Sequence, residues 1–185
     1  KTAVINIDDE YGKRLAREFS DIAVTYSTEG NADYHAKFIR MNATGCSYML
    51  VNEREKTACR VDMNMTGLYN VQNSLCAIAM VTALGFDMTE CAKALSDLDG
   101  VDGRMNVVYR GDFTVITDYA HTDDALIKVL STLKPLTKGR LICVFGAAGD
   151  RDKEKRLPVH HILQWKPEPK EILLQDLTGL ACLIR

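Results

Sequence analysis

Apolar and polar positions fall in blocks whose period changes along the chain, and each change marks an element. Ala3-Val4-Ile5-Asn6-Ile7 is a short apolar run of the kind that fills a buried parallel strand. Asp8 or Asp9 then caps a helix predicted over residues 10–19, and Ile22-Ala23-Val24-Thr25-Tyr26 follows as a strand. The chain therefore opens on a strand-helix-strand unit. Between residues 32 and 65 the period is two, in pieces around 36–40, 47–51 and 58–63 separated by Asn, Gly, Glu and Lys turns. That pattern predicts an antiparallel meander. Gly67-Leu68-Tyr69-Asn70-Val71-Gln72-Asn73 leads into a helix expected over residues 72–84, with Leu75, Cys76, Ile78, Ala79, Val81 and Thr82 on its small and aliphatic face. Gly85 is its natural stop. A further helix is expected over residues 89–98, with Cys91, Ala92, Leu95 and Leu98 inward.

Asp99-Gly100-Val101-Asp102-Gly103 is the best candidate for a linker between domains. Beyond it, Gly103-Arg104 opens a β-patterned segment. A second such run, residues 113–117, delivers Asp118 and His121 where the next helix, residues 123–133, is expected to begin. Leu141-Ile142-Cys143-Val144-Phe145 is a fully apolar strand that ends in Gly146-Ala147-Ala148-Gly149-Asp150-Arg151-Asp152. Strand, helix and strand with polar residues after each strand's carboxyl end is how doubly wound α/β sheets build ligand crevices. After Arg156 the pattern lapses. Residues 157–169 follow no strand or helix logic, and residues 171–183 fit a short amphipathic helix without a sheet partner.

Composition narrows the class. The 185 residues are 46% apolar and 26% charged with a net charge of −2, enough to bury a core and without a bulk pull toward nucleic acid or anionic membrane. The most apolar helical run, residues 75–84, is far below the ~18–20 residues that span a bilayer. The strand-like start argues against a signal peptide, which makes the cytoplasm the expected compartment and the two Asn-x-Thr matches at Asn42 and Asn64 coincidental. Six scattered cysteines with no Cys-x-x-Cys are expected to be reduced packing residues.

Several residues could carry chemistry. Arg104 is either a surface arginine beside a turn or a guanidinium brought by a hinge to nucleotide phosphates, whose oxygens suit its planar fork. Asp118 ends an apolar strand, where a carboxylate is costly without partners; it either caps the next helix or accepts two ribose hydroxyls. His121 sits in the first turn of that helix or donates to phosphate or base. Asn70 and Asn73 are three apart on one helical face, suited to capping or to an adenine edge. The charge run Asp150, Arg151, Asp152, Lys153, Lys155, Arg156 is a solvated loop or a site for an anionic or zwitterionic ligand. No Gly-x-x-x-x-Gly-Lys-Ser/Thr occurs anywhere, so the chain has no P-loop with which to cradle a triphosphate.

Together, Ala3 to Gly12, Gly67 to Asn73, Gly103-Arg104-Met105, Asp118-Tyr119-Ala120-His121-Thr122 and Val144 to Arg156 resemble the Mur ligase family in order and spacing. The likeness is to members that add the third peptide residue of the peptidoglycan precursor. The resemblance implies an α/β fold: residues 1–104 as the second half of a central ATPase domain, residues 105–156 as the start of a Rossmann-like C-terminal domain, and residues 157–185 as a tail outside the pattern. It implies an ADP-forming acid–amino-acid ligase, with a UDP-linked muramoyl dipeptide and meso-diaminopimelate or L-lysine as substrates, through an acyl phosphate. ATP and Mg²⁺ would be used, the metal ligands lying outside this chain, which would be monomeric and inactive alone. Asn73, supported by Asn70, would contact adenine, Arg104 the phosphates, Asp118 the ribose, His121 the nucleotide and Arg151 the carboxylate of the incoming diamino acid. Asp123 stands where Pro is usual, Ala147-Ala148 replace a more glycine-rich turn, and the Asp-Asn-Pro-Arg motif that selects the amino acid is absent. Folylpolyglutamate synthase, which shares an Asp-x-Ala-His stretch, and a non-catalytic nucleotide-binding module are the alternatives.

Overall fold

A computed structural model describes residues 1–146, 171–174 and 179–184. The chain divides into two compact units, Lys1–Asp99 and Gly100–Arg185. In the first, β1 (Ala3–Asn6), α1 (Glu10–Glu18) and β2 (Ala23–Ser27) form the expected opening, with β1 and β2 parallel. The meander follows as β3 (Tyr34–Asn42), β4 (Gly45–Asn52) and β5 (Thr57–Met63), antiparallel to one another, while β3 runs parallel to β2. The sheet order is β1-β2-β3-β4-β5.

Period two explains the burial. On β4, Cys46, Tyr48, Leu50 and Asn52 are buried, alternating with half-buried Ser47, Met49 and Val51. This face meets α2 (Leu68–Ala83) and α3 (Met88–Ser96), so that Leu50, Val61, Val71, Leu75, Ile78 and Ala92 share one core. On α1, by contrast, Gly12 is the only fully buried residue.

Helix α2 begins four residues before the expected start. Its first turn is entered through Gly67 at φ 106°, with no side-chain cap, so no Ser, Thr or Asp marks the true beginning. Asp9, not Asp8, caps α1 by accepting the amide of Gly12 at 2.7 Å. Asp87 caps α3 in the same way, through the amides of Thr89 and Glu90.

The second unit contains the hairpin β6 (Asn106–Arg110) and β7 (Thr114–Asp118), then α4 (Asp123–Leu136) and β8 (Leu141–Gly146). Two further strands correct the expectation of a helix without a sheet partner near the carboxyl end. β9 (Glu171–Leu174) is parallel to β8, and β10 (Gly179–Ile184) runs antiparallel between β7 and β8. Glu171-Ile172-Leu173-Leu174 and Gly179-Leu180-Ala181-Cys182-Leu183-Ile184 are short apolar runs, which periodicity cannot tell from helix when their partners lie far upstream. The order is β6-β7-β10-β8-β9. Met105, Ile116, Leu126, Val129, Leu130, Leu133 and Leu141 are buried in this unit. Among the described residues, no helix is long and apolar enough to cross a membrane.

Candidate nucleotide-facing residues

In the second unit the polar residues gather where β7 ends. Asp118 is only 8% exposed, so its carboxylate must find partners within the protein. It finds two. Oδ2 accepts the amide of Met105 at 2.9 Å, and Oδ1 accepts that of Ala120 at 2.8 Å. The cap of α4 is instead Thr122, whose hydroxyl accepts the amide of Ala125 at 3.3 Å. Asp118 is therefore free of the capping role and clamps the segment before β6 to the end of β7. Each carboxylate oxygen has capacity for a second donor, which is what a pair of ribose hydroxyls would need.

The clamped segment is sharply bent. Gly103 (φ 70°) and Met105 (φ 48°) both lie in the left-handed region, on either side of Arg104. A buried methionine there is strained backbone, held by the Asp118 bond on one side and by the Tyr119 amide donating to Gly103 O at 2.7 Å on the other. The bend leaves Arg104 exposed while its neighbour Met105 is buried. The Arg104 guanidinium lies 5.6 Å from the centre of the Tyr119 ring. The His121 ring meets the same tyrosine edge-on at 5.0 Å. His121 Nδ1 is 2.8 Å from Tyr119 O. A carbonyl only accepts, so Nδ1 carries the proton and Nε2 is left for a ligand. Arg104 and His121 thus meet at the ring of Tyr119, a residue that nothing in the sequence singles out, and Asp118 clamps the backbone beside them.

The first unit holds the two asparagines, which the structure treats differently. Asn70 is buried and donates from Nδ2 to Thr66 O at 2.8 Å, tying α2 to the segment before it. Asn73, one turn on, is exposed. Between them Gln72 donates to Asp8 Oδ2 at 2.8 Å. Asp8 also accepts from the Ser27 and Thr28 hydroxyls and from the Thr28 amide. Burial alone would raise the Asp8 carboxyl, but the donors Ser27, Gln72 and Thr28 outweigh it and hold it below the ordinary 3.8. Asp8 therefore locks the amino end of α2 to the carboxyl ends of β1 and β2, the edge of an α/β sheet where ligands bind. The sequence offered Asp8 only as a possible cap. Arg151 lies outside the described residues.

No group of three or more His, Cys, Asp or Glu among the described residues could hold a metal ion.

Comparison with known proteins follows the same division. Residues 1–81 match the Mur ligase middle domain, and residues 103–174 match the Mur ligase glutamate ligase domain, a match that runs on past Arg156. The chain is 37% identical over 159 residues to the UDP-N-acetylmuramoyl-L-alanyl-D-glutamate–2,6-diaminopimelate ligase of Clostridium botulinum, covering 84% of this chain and 32% of that protein. It is 41% identical over 156 residues to the ligase of the same name from Gloeobacter violaceus, covering 83% and 31%. It spans about a third of the length of these relatives. A solved structure of such a ligase superposes with a TM-score of 0.65 at 32% identity, over 94% of this chain and 36% of that one. The folylpolyglutamate synthetase of Lactobacillus casei, at TM-score 0.62 and 12% identity over 95% of this chain and 51% of that one, shares the fold alone.

Proposed function

The chain belongs to the Mur ligase family of ATP-dependent amide ligases, and from that premise we propose that it is the nucleotide-facing part of a ligase joining a diamino acid to UDP-N-acetylmuramoyl-L-alanyl-D-glutamate. The diamino acid is meso-diaminopimelate or L-lysine, and relatives named as diaminopimelate ligases favour the first. In the reaction the D-glutamate carboxylate takes the γ-phosphoryl of ATP and ADP leaves. The amine then attacks the acyl carbon, phosphate departs, and the amide remains.

The observation that supports this reading best is the gathering of Arg104, Asp118 and His121 where β7 ends. Arg104 offers a permanently charged fork to the phosphates, Asp118 its spare acceptor capacity to the ribose, and His121 its Nε2 to the nucleotide. The resemblance assigns adenine contact to Asn73, supported by Asn70, and the diamino acid carboxylate to Arg151. Mg²⁺, when bound, would neutralise charge on the transferring phosphoryl through ligands other than these. Without a P-loop the chain alone does not turn over. The protein acts in the cytoplasm, as a monomer, without nucleic acid.

Calorimetric titration of ATP into the chain tests the reading. Binding weakened about tenfold by Arg104→Gln supports it, and no binding at millimolar ATP removes it. Phosphate release by this chain alone, given the dipeptide precursor, ATP and either diamino acid, would overturn its inactivity.

A further inference from the structure

We propose that Tyr119 is a positioning residue, its ring the bracket that fixes Arg104 and His121 for the nucleotide; this rests on the functional reading above. Tyr119 is 54% exposed, so it is not there to fill the core. It is nevertheless held from both sides of its own backbone. Its amide donates to Gly103 O at 2.7 Å, and its carbonyl accepts from His121 Nδ1 at 2.8 Å. One ring then meets two functional groups: the Arg104 guanidinium 5.6 Å from its centre, and the His121 imidazole 5.0 Å away and edge-on. The first distance is within the ~6 Å over which an aromatic face attracts a cation, and the second within the ~4.5–7 Å of a stable T-shaped pair.

The consequence is entropic. An exposed arginine normally samples many rotamers, and ordering it on a ligand costs free energy that weakens binding. A guanidinium already resting on a fixed ring has surrendered part of that freedom before the ligand arrives. Gly103, Arg104 and Met105 fix the backbone from which the side chain starts, and Tyr119 fixes where it ends. The hydroxyl has no part in this, so phenylalanine should serve equally well while leucine should not.

The test uses the whole chain with Tyr119→Phe and Tyr119→Leu, neither of which alters the backbone bonds to Gly103 and His121. Nuclear magnetic resonance of the ligand-free chain reads the bracket directly. The Arg104 side-chain protons should be ring-current shifted in the wild type and in Tyr119→Phe, and unshifted in Tyr119→Leu. Titration with ATP and separately with adenosine reads its use. Tyr119→Leu should weaken ATP about two- to fivefold and leave adenosine unchanged, and Tyr119→Phe should restore wild-type affinity. Unshifted Arg104 protons in a wild type that binds ATP overturn the positioning role alone, as does Tyr119→Phe behaving like Tyr119→Leu. Shifted protons in a wild type that binds neither ATP nor adenosine overturn the nucleotide reading, and with it the purpose assigned to the ring.

Discussion

Asp118 holds the amide of Met105 at 2.9 Å across thirteen residues of chain, and through it the bent segment that carries Arg104. Because the carboxylate is buried and both its oxygens are in use, changing it leaves an amide without an acceptor. Asp118→Asn keeps the shape but turns a donor toward a donor on one side. Urea denaturation is expected to show a loss of about 1–3 kcal/mol, and Asp118→Ala, which strands both amides, should be the more costly of the two.

Gly12 reverses the usual rule for helices. Glycine to alanine inside a helix ordinarily stabilises by about 1 kcal/mol. Here an added methyl would overlap the carbonyl oxygen of Asn6, a backbone atom of β1 that has no rotamer to change. Gly12→Ala should therefore destabilise the first unit by about 1–3 kcal/mol, measured by thermal or urea unfolding. A stabilised variant would mean that α1 does not sit this close to β1.

Acid should loosen the first unit through Asp8. The folded carboxyl is held below 3.8, so its contribution is complete above the unfolded value and lost as pH falls through the folded one. Asp33 is lowered as well: burial opposes, while bonds from Arg54 and Thr25 prevail. Urea midpoints compared between pH 7 and pH 3 are expected to fall less in Asp8→Asn than in the wild type, Asp33 supplying part of the remaining slope. Equal slopes would mean that Asp8 is not hydrogen-bonded as described.

The thiols should divide by burial. Cys46 is buried in the sheet, and burial, with Asp62 nearby, pushes it up to about 11, so little thiolate exists at pH 8. Cys143 is buried on β8. Brief alkylation followed by mass spectrometry should leave both unmodified in buffer and modify both in urea, while Cys76, half-buried on α2, reacts sooner.

Local pattern made much of the fold legible. The alternation on β4, the apolar spacing of α4 and the glycine after α2 all report geometry within a few residues. What the sequence withheld depends on partners far along the chain. Nothing near Asn70 says that it is buried and Asn73 exposed, because two amides three apart look alike until α2 is known to start at Leu68. Tyr119 is one aromatic between an aspartate and an alanine, and only the return of Arg104 over its ring gives it a role. The sequence left the cap of α1 open between Asp8 and Asp9; Asp9 takes it, and the engagement of Asp8 with Gln72 from sixty-four residues away was not legible at all.

The placement of β10 has a bearing on assembly. β6 and β7 form one hydrogen-bonded pair and β8 and β9 another, and among the described residues only Gly179–Ile184 joins the pairs. Two strand edges thus wait, one strand's width apart, for a segment synthesised after both. A chain that stopped short of Gly179 would leave the facing edges of β7 and β8 unpaired, and open strand edges of that kind invite pairing with other chains.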